Sequence, residues 1–257
     1  MILILAYHGV NAKDGCQNNW VVYGNKKFDL DELRVDPHMF EQQMEHLHSR
    51  GYQSVGLEEF LVDFTARGRY FKKHFVLTFD DGYKDFFTSV RPILNRYGYT
   101  ATVFLVTDKI NENNKKGQFL SWEEAIQLHK EGFSFGAHTC SHPSLTSLSL
   151  DEARYQIEES KKIIEGKLNS SVRFFSYPYG DFNSDIQNLV REAGFLGAVV
   201  TPWGPGIENG IFSLKRVGVN STNPMWIFRL KANGVFSWVR DNKMLWPLLT
   251  KIKRKYL

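Results

Sequence analysis

Along this chain, short apolar runs end abruptly at a histidine or a carboxylate, and a helical stripe follows most of them. Residues 2–7 stop at His8, Phe75–Phe79 at Asp80-Asp81-Gly82, and Phe133–Ala137 at His138. Phe174-Phe175 stop just before Tyr177-Pro178-Tyr179-Gly180, and residues 101–106 and 196–200 are two more such runs. Predominantly apolar runs of this length suit strands buried on both faces. Between them, Asp36 caps a helix that opens with Pro37 and repeats Phe40, Met44 and Leu47 on one face. Phe60, Leu61 and Phe64 mark a second helix, and Phe86, Phe87, Val90, Ile93, Leu94 and Tyr97 a third. Ser121-Trp-Glu-Glu124 and Ser149-Leu-Asp-Glu152 are capping boxes, and Asn183 opens a helix reaching about Ala193. Residues 8–36 read as a long, polar, irregular stretch.

Strands alternating with helices predict a parallel sheet covered on its faces. About seven such units fit a closed or distorted β/α barrel better than an open sheet. The expected organisation is one domain, a distorted (β/α)7 TIM-like barrel over residues 1–239, and then a basic amphipathic helix over 240–257. Barrels of this kind carry their chemistry where strands end. His8, Asp80, Asp81, His138 and Tyr179 are therefore expected on one rim.

Two of these strand ends carry specific chemistry. Adjacent carboxylates at a strand end point to different sides, so one of Asp80 and Asp81 can bind a cation while the other stays free as a base. His138 and His142, four residues apart, present both imidazoles to one side. Two neutral imidazoles and one carboxylate make a zinc site with a position left for water. Cys140 lies between them, but its side chain is expected to point away and pack. His38, His46, His48, His74 and His129 sit among polar neighbours and read as solvated. His8 differs, because it ends an apolar strand.

The net charge of +4 is concentrated at the end of the chain, since residues 229–257 carry +7 and the rest −3. A body of that charge gives no ground for a nucleic-acid partner. Two cysteines, Cys16 and Cys140, make no disulfide framework. The apolar run at the N-terminus is too short for a signal peptide, and no stretch approaches a membrane span. A cytoplasmic protein is therefore expected. In residues 240–257, Leu245, Leu248, Leu249, Ile252 and Tyr256 share a face opposite Lys243, Lys251 and Arg254. That helix suits peripheral contact with the inner face of a membrane, or equally a closing helix packed on the barrel.

Thr78-Phe79-Asp80-Asp81-Gly82, His138-Thr-Cys-Ser-His142 and Tyr177-Pro178-Tyr179-Gly180 resemble the first three motifs of the polysaccharide deacetylase family, metal-dependent carbohydrate esterases. Motif order and spacing agree over about residues 73–200, with weaker similarity back to residue 1. The resemblance implies a distorted (β/α)7 barrel and removal of an acetyl group from an N-acetylated amino sugar, in a glycan or a lipid-linked precursor. It implies Asp80 as general base, Asp81, His138 and His142 as metal ligands, and the Tyr179 N–H as oxyanion donor. The implied cofactor is a divalent metal, zinc first, with nickel, cobalt or ferrous iron as the other candidates.

Two departures stand out. Ser176 occupies the place of the arginine that orients the catalytic aspartate, with Arg216 and Arg173 as candidates to replace it. No histidine follows His142. Leu5-Ala6-Tyr7-His8 instead resembles the N-terminal element of a circularly permuted subgroup that includes poly-N-acetylglucosamine deacetylases, which implies His8 as the catalytic acid. The ligand types alone leave two rivals open: a facial-triad metal oxygenase and a non-catalytic carbohydrate-binding module. Trp20, Trp122 and Trp203 are candidates for stacking on sugar rings and equally for the core.

Overall fold

In the computed structural model the described residues are 3–11, 20–23, 26–29, 31–67, 73–110, 117–201 and 210–234. The strands are β1 (Leu3–Tyr7), β2 (Trp20–Tyr23), β3 (Lys26–Asp29), β4 (Gln53–Ser54), β5 (His74–Phe79) and β6 (Thr102–Leu105). They continue with β7 (Ser134–Ala137), β8 (Phe174–Ser176), β9 (Gly197–Val200), β10 (Leu214–Lys215) and β11 (Val217–Gly218). The helices are α1 (Pro37–Ser49), α2 (Leu57–Arg67), α3 (Arg91–Tyr97), α4 (Trp122–Lys130), α5 (Leu150–Leu168), α6 (Ser184–Glu192) and α7 (Met225–Ala232).

All pairings in the main sheet are parallel, in the order β10-β9-β8-β7-β6-β5-β1-β11, with β4 beside β5. The two ends of that order are neighbours in the chain. Leu214 and Lys215 pair with β9, and Val217 and Gly218 pair with β1. One five-residue run thus hands over from one sheet edge to the other at Arg216, and the sheet is nearly closed as a barrel of seven members. The expected (β/α)7 architecture is present.

Alternation along each strand separates two cores. Leu3, Leu5, Phe75, Leu77, Val103 and Leu105 face the helices in the larger cluster. Ile4, Val76, Phe104, Phe174, Val199 and Leu214 come from the opposite strand faces and fill the barrel interior. The same parity carries His8, Thr78, Asp80, Ser176 and Arg216 inward, at the ends of strands whose preceding residues already point there. Asp36 caps α1 by accepting from the N–H groups of His38 and Met39, and both capping boxes are formed at Ser121 and Ser149.

Several expectations change. The stretch read as irregular contains the antiparallel pair β2–β3, and Gly24-Asn25 between the two strands is a hairpin signal that points to it. The helix expected from Phe86 begins as a π-helical turn, Phe86–Val90, with Arg91 N–H donating to the Phe86 carbonyl. Pro92 follows that turn and has no N–H for the carbonyl four residues back, which favours the wider spacing. Strands β10 and β11 and helix α7 carry no strong periodicity and are additions. Of the five histidines read as solvated, His38 and His48 are exposed, whereas His46, His74 and His129 are half-buried. Trp122 is buried in the core, which excludes it as a stacking platform. The helix expected over 240–257, the Trp203 side chain and the Trp20 side chain lie outside what is described. Among the described residues no helix is long and apolar enough to cross a membrane.

Candidate active site

The rim residues are delivered by the ladder itself. The Asp80 N–H donates to the Tyr7 carbonyl at 3.0 Å, and the His138 N–H to the Leu105 carbonyl at 2.9 Å. Both residues therefore sit one step beyond a strand that its neighbour still holds. Past that step the backbone turns sharply. Six described non-glycine residues have positive φ, and four of them are Asp81 (71°), Thr139 (68°), His142 (64°) and Tyr179 (59°). Left-handed backbone at bulky residues is unfavourable, and surrounding structure has to enforce it. Its concentration here marks a site whose side chains are aimed at some expense to the backbone. Gly82 also has positive φ (72°), and a Cβ there would lie 2.7 Å from Leu105 Cδ2. The glycine is required on both counts.

Asp81, His138 and His142 each offer one ligand atom, all within 4.8 Å of one another. Asp81 Oδ1 lies 3.9 Å from His138 Nε2 and 3.6 Å from His142 Nε2. Among the described residues that oxygen is buried with no hydrogen-bond donor. A buried carboxylate oxygen is costly to leave so, and a cation between it and two imidazole lone pairs removes the cost. Protonation states agree with this use. Burial holds His138 below the usual imidazole range and drives His142 down to about 3, so both are neutral at physiological pH. Burial acts to raise the Asp81 carboxyl, but its surroundings, the Lys109 ammonium first, outweigh that and keep the group ionised. His138 Nδ1 lies 2.6 Å from the Ser176 carbonyl, so Nδ1 carries the proton and Nε2 keeps its lone pair for the metal. The donor set therefore fits a divalent metal.

Helix α5 supports the loop between the two histidines. Gln156 Oε1 accepts from the N–H groups of both Cys140 and Ser141 at 3.0 Å, and its Nε2 donates to Ser141 Oγ at 3.1 Å. Thr139 Oγ1 accepts from the His142 N–H at 2.9 Å and closes the turn. Cys140 is buried, and its thiol is pushed up to about 11 chiefly by burial. It points to α5 rather than to the ligands, as expected. Gln156→Ala should weaken metal binding about 10–100-fold with the ligands untouched. Competition against a chromophoric chelator measures this, and unchanged affinity would remove Gln156 from the site's support.

Asp80 is held quite differently. Arg216 is 0% exposed and forms a fork onto it, Nη1 donating to Oδ1 at 2.8 Å and Nη2 to Oδ2 at 2.6 Å. The remaining guanidinium donors reach Thr78 Oγ1, Ser176 Oγ and the Val200 carbonyl. Ser176 Oγ also donates to Asp80 Oδ1 at 3.3 Å. Burial acts to raise the Asp80 carboxyl, and Arg216 outweighs it, bringing the group to about 2. Of the two arginines proposed to fill the place left by Ser176, the structure selects Arg216. Arg173 is on the surface, 3.7 Å from Glu58.

His8 Nε2 lies 3.9 Å from Asp80 Oδ2, with its side chain 20% exposed. The following turn is pinned from two sides, because the Val10 N–H donates to Asp85 Oδ2 at 3.0 Å and the Val35 N–H to the Gly9 carbonyl at 2.8 Å. The Tyr179 ring meets His142 edge-to-face at 4.7 Å, beyond β8. Asp181, two residues on, accepts from Ser144 Oγ at 2.5 Å and from Thr146 Oγ1, tying the third motif to the loop after His142. All six residues singled out from sequence thus converge on one rim. Sequence reasoning missed Gln156, Asp181 and Asp85, which stand in none of the quoted motifs, and the role of the Ser176 carbonyl, which no side-chain pattern signals.

The chain has clear relatives. A profile of the polysaccharide deacetylase family matches residues 67–198. The YxkH protein of Bacillus subtilis strain 168 is 28% identical over 218 residues, covering 84% of this chain and 71% of its own. A poly-beta-1,6-N-acetyl-D-glucosamine N-deacetylase of Staphylococcus aureus is 27% identical over 202 residues, 75% of this chain and 69% of that one. The solved structure of the Streptococcus pyogenes deacetylase PplD in complex with acetate superposes with a TM-score of 0.77. It is 25% identical and covers 90% of this chain and 97% of its own.

Proposed function

The chain belongs to the polysaccharide deacetylase family, and from that premise we propose that it is a metal-dependent N-deacetylase. Its reaction would hydrolyse the acetamide of an N-acetylated amino sugar, within a glycan or a lipid-linked glycan precursor, and release acetate. One observation carries this reading. A buried, ionised carboxylate gripped by Arg216 stands beside a separate carboxylate that shares a pocket with two neutral imidazoles. Sugar binding alone has no use for such a pair.

An amide is a poor electrophile with a poor leaving group, so hydrolysis needs help at three points. Asp81, His138 and His142 would hold a divalent cation, zinc being the first candidate, which when bound would supply Lewis acidity to water and to the acetamide carbonyl. Asp80 takes the proton of the attacking water as the new C–O bond forms. Held near 2, it is a weak base toward ordinary water, so its role depends on that acidification. The Tyr179 N–H donates to the carbonyl oxygen as negative charge grows there. His8 protonates the amine nitrogen as the C–N bond breaks, leaving acetate and a free amino sugar.

The test is acetate release from oligomers of N-acetylglucosamine by the purified chain. Release should stop after chelation and return on adding Zn2+ or Co2+. Sugar binding without acetate under any metal would favour a binding module. Turnover that needs oxygen, Fe(II) and 2-oxoglutarate would favour the facial-triad oxygenase.

A further inference from the structure

We propose that Lys109 is the built-in counter-ion of the metal centre, neutralising Asp81 in the metal-free protein and giving up that place when a metal loads. The inference rests on the metal reading above and concerns how the site exists before loading.

Asp81 is a buried carboxylate whose Oδ1 accepts no hydrogen bond. A buried charge needs a partner. Among the described residues, three basic side-chain nitrogens lie within 4 Å of that oxygen: His142 Nε2 at 3.6 Å, Lys109 Nζ at 3.7 Å and His138 Nε2 at 3.9 Å. The imidazoles present lone pairs, whereas Lys109 brings a permanent charge. Arg216, the other cation near the paired carboxylates, is engaged by Asp80, Thr78, Ser176 and the Val200 carbonyl. Lys109 is thus the one permanent cation paired with Asp81 among the described residues.

The backbone of Lys109 is fixed and its side chain is not. The residue ends a short 3-10 turn, Thr107–Lys109, just past β6. Two N–H groups strap that turn to the histidine loop, Thr107 donating to the Thr139 carbonyl at 3.3 Å and Asp108 to the Cys140 carbonyl at 2.9 Å. At 3.7 Å the ammonium is too far from Asp81 for a hydrogen bond, so only charge holds it there. Its side chain is 31% exposed, and Nζ already stands 5.1 Å from the centre of the Phe119 ring. That ring is stacked on Tyr83, which fixes a second resting place for the cation. A dication that takes Asp81 Oδ1 repels an ammonium within the same reach. Lys109 then swings to Phe119 and solvent, without any movement of the backbone.

A stand-in cation has two opposite consequences. It supports the empty site and it opposes loading. Lys109→Met should tighten Zn2+ or Co2+ binding about tenfold at low salt, with a smaller gain at high salt. It should also lower the melting temperature of the chelator-treated protein relative to the loaded one. Lys109→Arg keeps the charge and should bind metal as the parent does.

Chelator competition at two ionic strengths, with thermal melts of both forms, reads all of this. Tighter binding by the methionine variant alone supports the inference. Weaker or unchanged binding overturns it, as does tightening by both variants. His138→Ala separates this inference from the one beneath it. If that change abolishes metal binding while Lys109→Met leaves it unaltered, only the counter-ion role falls. If the parent protein binds neither metal, both fall.

Discussion

Asp80→Asn is expected to lower acetate release by about 10²–10⁴-fold while the purified protein keeps its metal. Asparagine fills the same space but accepts no proton from water at neutral pH. Metal content should survive, because Asp81 rather than Asp80 shares the pocket with His138 and His142. His138→Ala gives the opposite pattern, since it removes one of three ligands and the metal goes with it. Elemental analysis of both variants beside the parent, run with the acetate assay, decides the assignment. Equal metal loss in the two would overturn the division of labour between Asp80 and Asp81.

The structure adds a requirement to that experiment. Asp80→Asn leaves Arg216, which is wholly buried, without its charge partner. A measurable loss of stability should accompany the loss of turnover, so activity must be read well below the melting temperature of the variant.

The second large effect is on folding. Arg216→Met should cost about 3–5 kcal/mol, the usual penalty for stranding a buried charge. That is a sizeable part of the roughly 5–15 kcal/mol that holds a domain together. The change removes the donations from Arg216 to Thr78, Asp80, Ser176 and Val200, which join β5, β8 and β9 through one side chain. It also reverses the pH dependence that Asp80 contributes. In the parent, Asp80 is held at about 2 against about 3.9 in an unfolded chain, so its contribution is full above 3.9 and is lost as pH falls through 2. With Arg216 gone, burial loses its main opponent and the folded carboxyl is expected to titrate above its unfolded value. Stability from this group is then greatest at low pH and falls as pH rises through the carboxylate range. Denaturant melts of chelated protein at pH 4 and pH 7 show the difference. A variant that loses less than about 1 kcal/mol at pH 7 would mean that the Asp80 charge is balanced elsewhere.

Much of the site was legible because its residues stand at strand ends within short motifs. Asp80 and Asp81 share one motif, and His138 and His142 another, so local spacing suffices to place each pair. His8 needed only the end of a buried strand and a resemblance. The helix caps at Asp36, Ser121 and Ser149 were equally readable, because a cap is a bond between neighbours in the chain. The pair β2–β3 is signalled only by the Gly24-Asn25 dipeptide between two short runs that lack a clear apolar alternation. The π-helical turn was missed because an apolar stripe does not register one extra residue per turn.

The sequence by itself determined the alternation, the residues at the strand ends and the chemistry those residue types allow. Only the tertiary structure decided that Arg216 serves Asp80, across 136 residues, that the Ser176 carbonyl orients His138, and that Lys109 faces Asp81. Each of these contacts is made by strands or turns far apart in the chain. The barrel closes through the run that hands over from β9 to β1 at Arg216, and that closure aims the side chain inward at the level of Asp80. A motif fixes what a residue can do from its neighbours in sequence. Which charge meets it across a parallel sheet depends on the order and register of the strands, which no local pattern encodes.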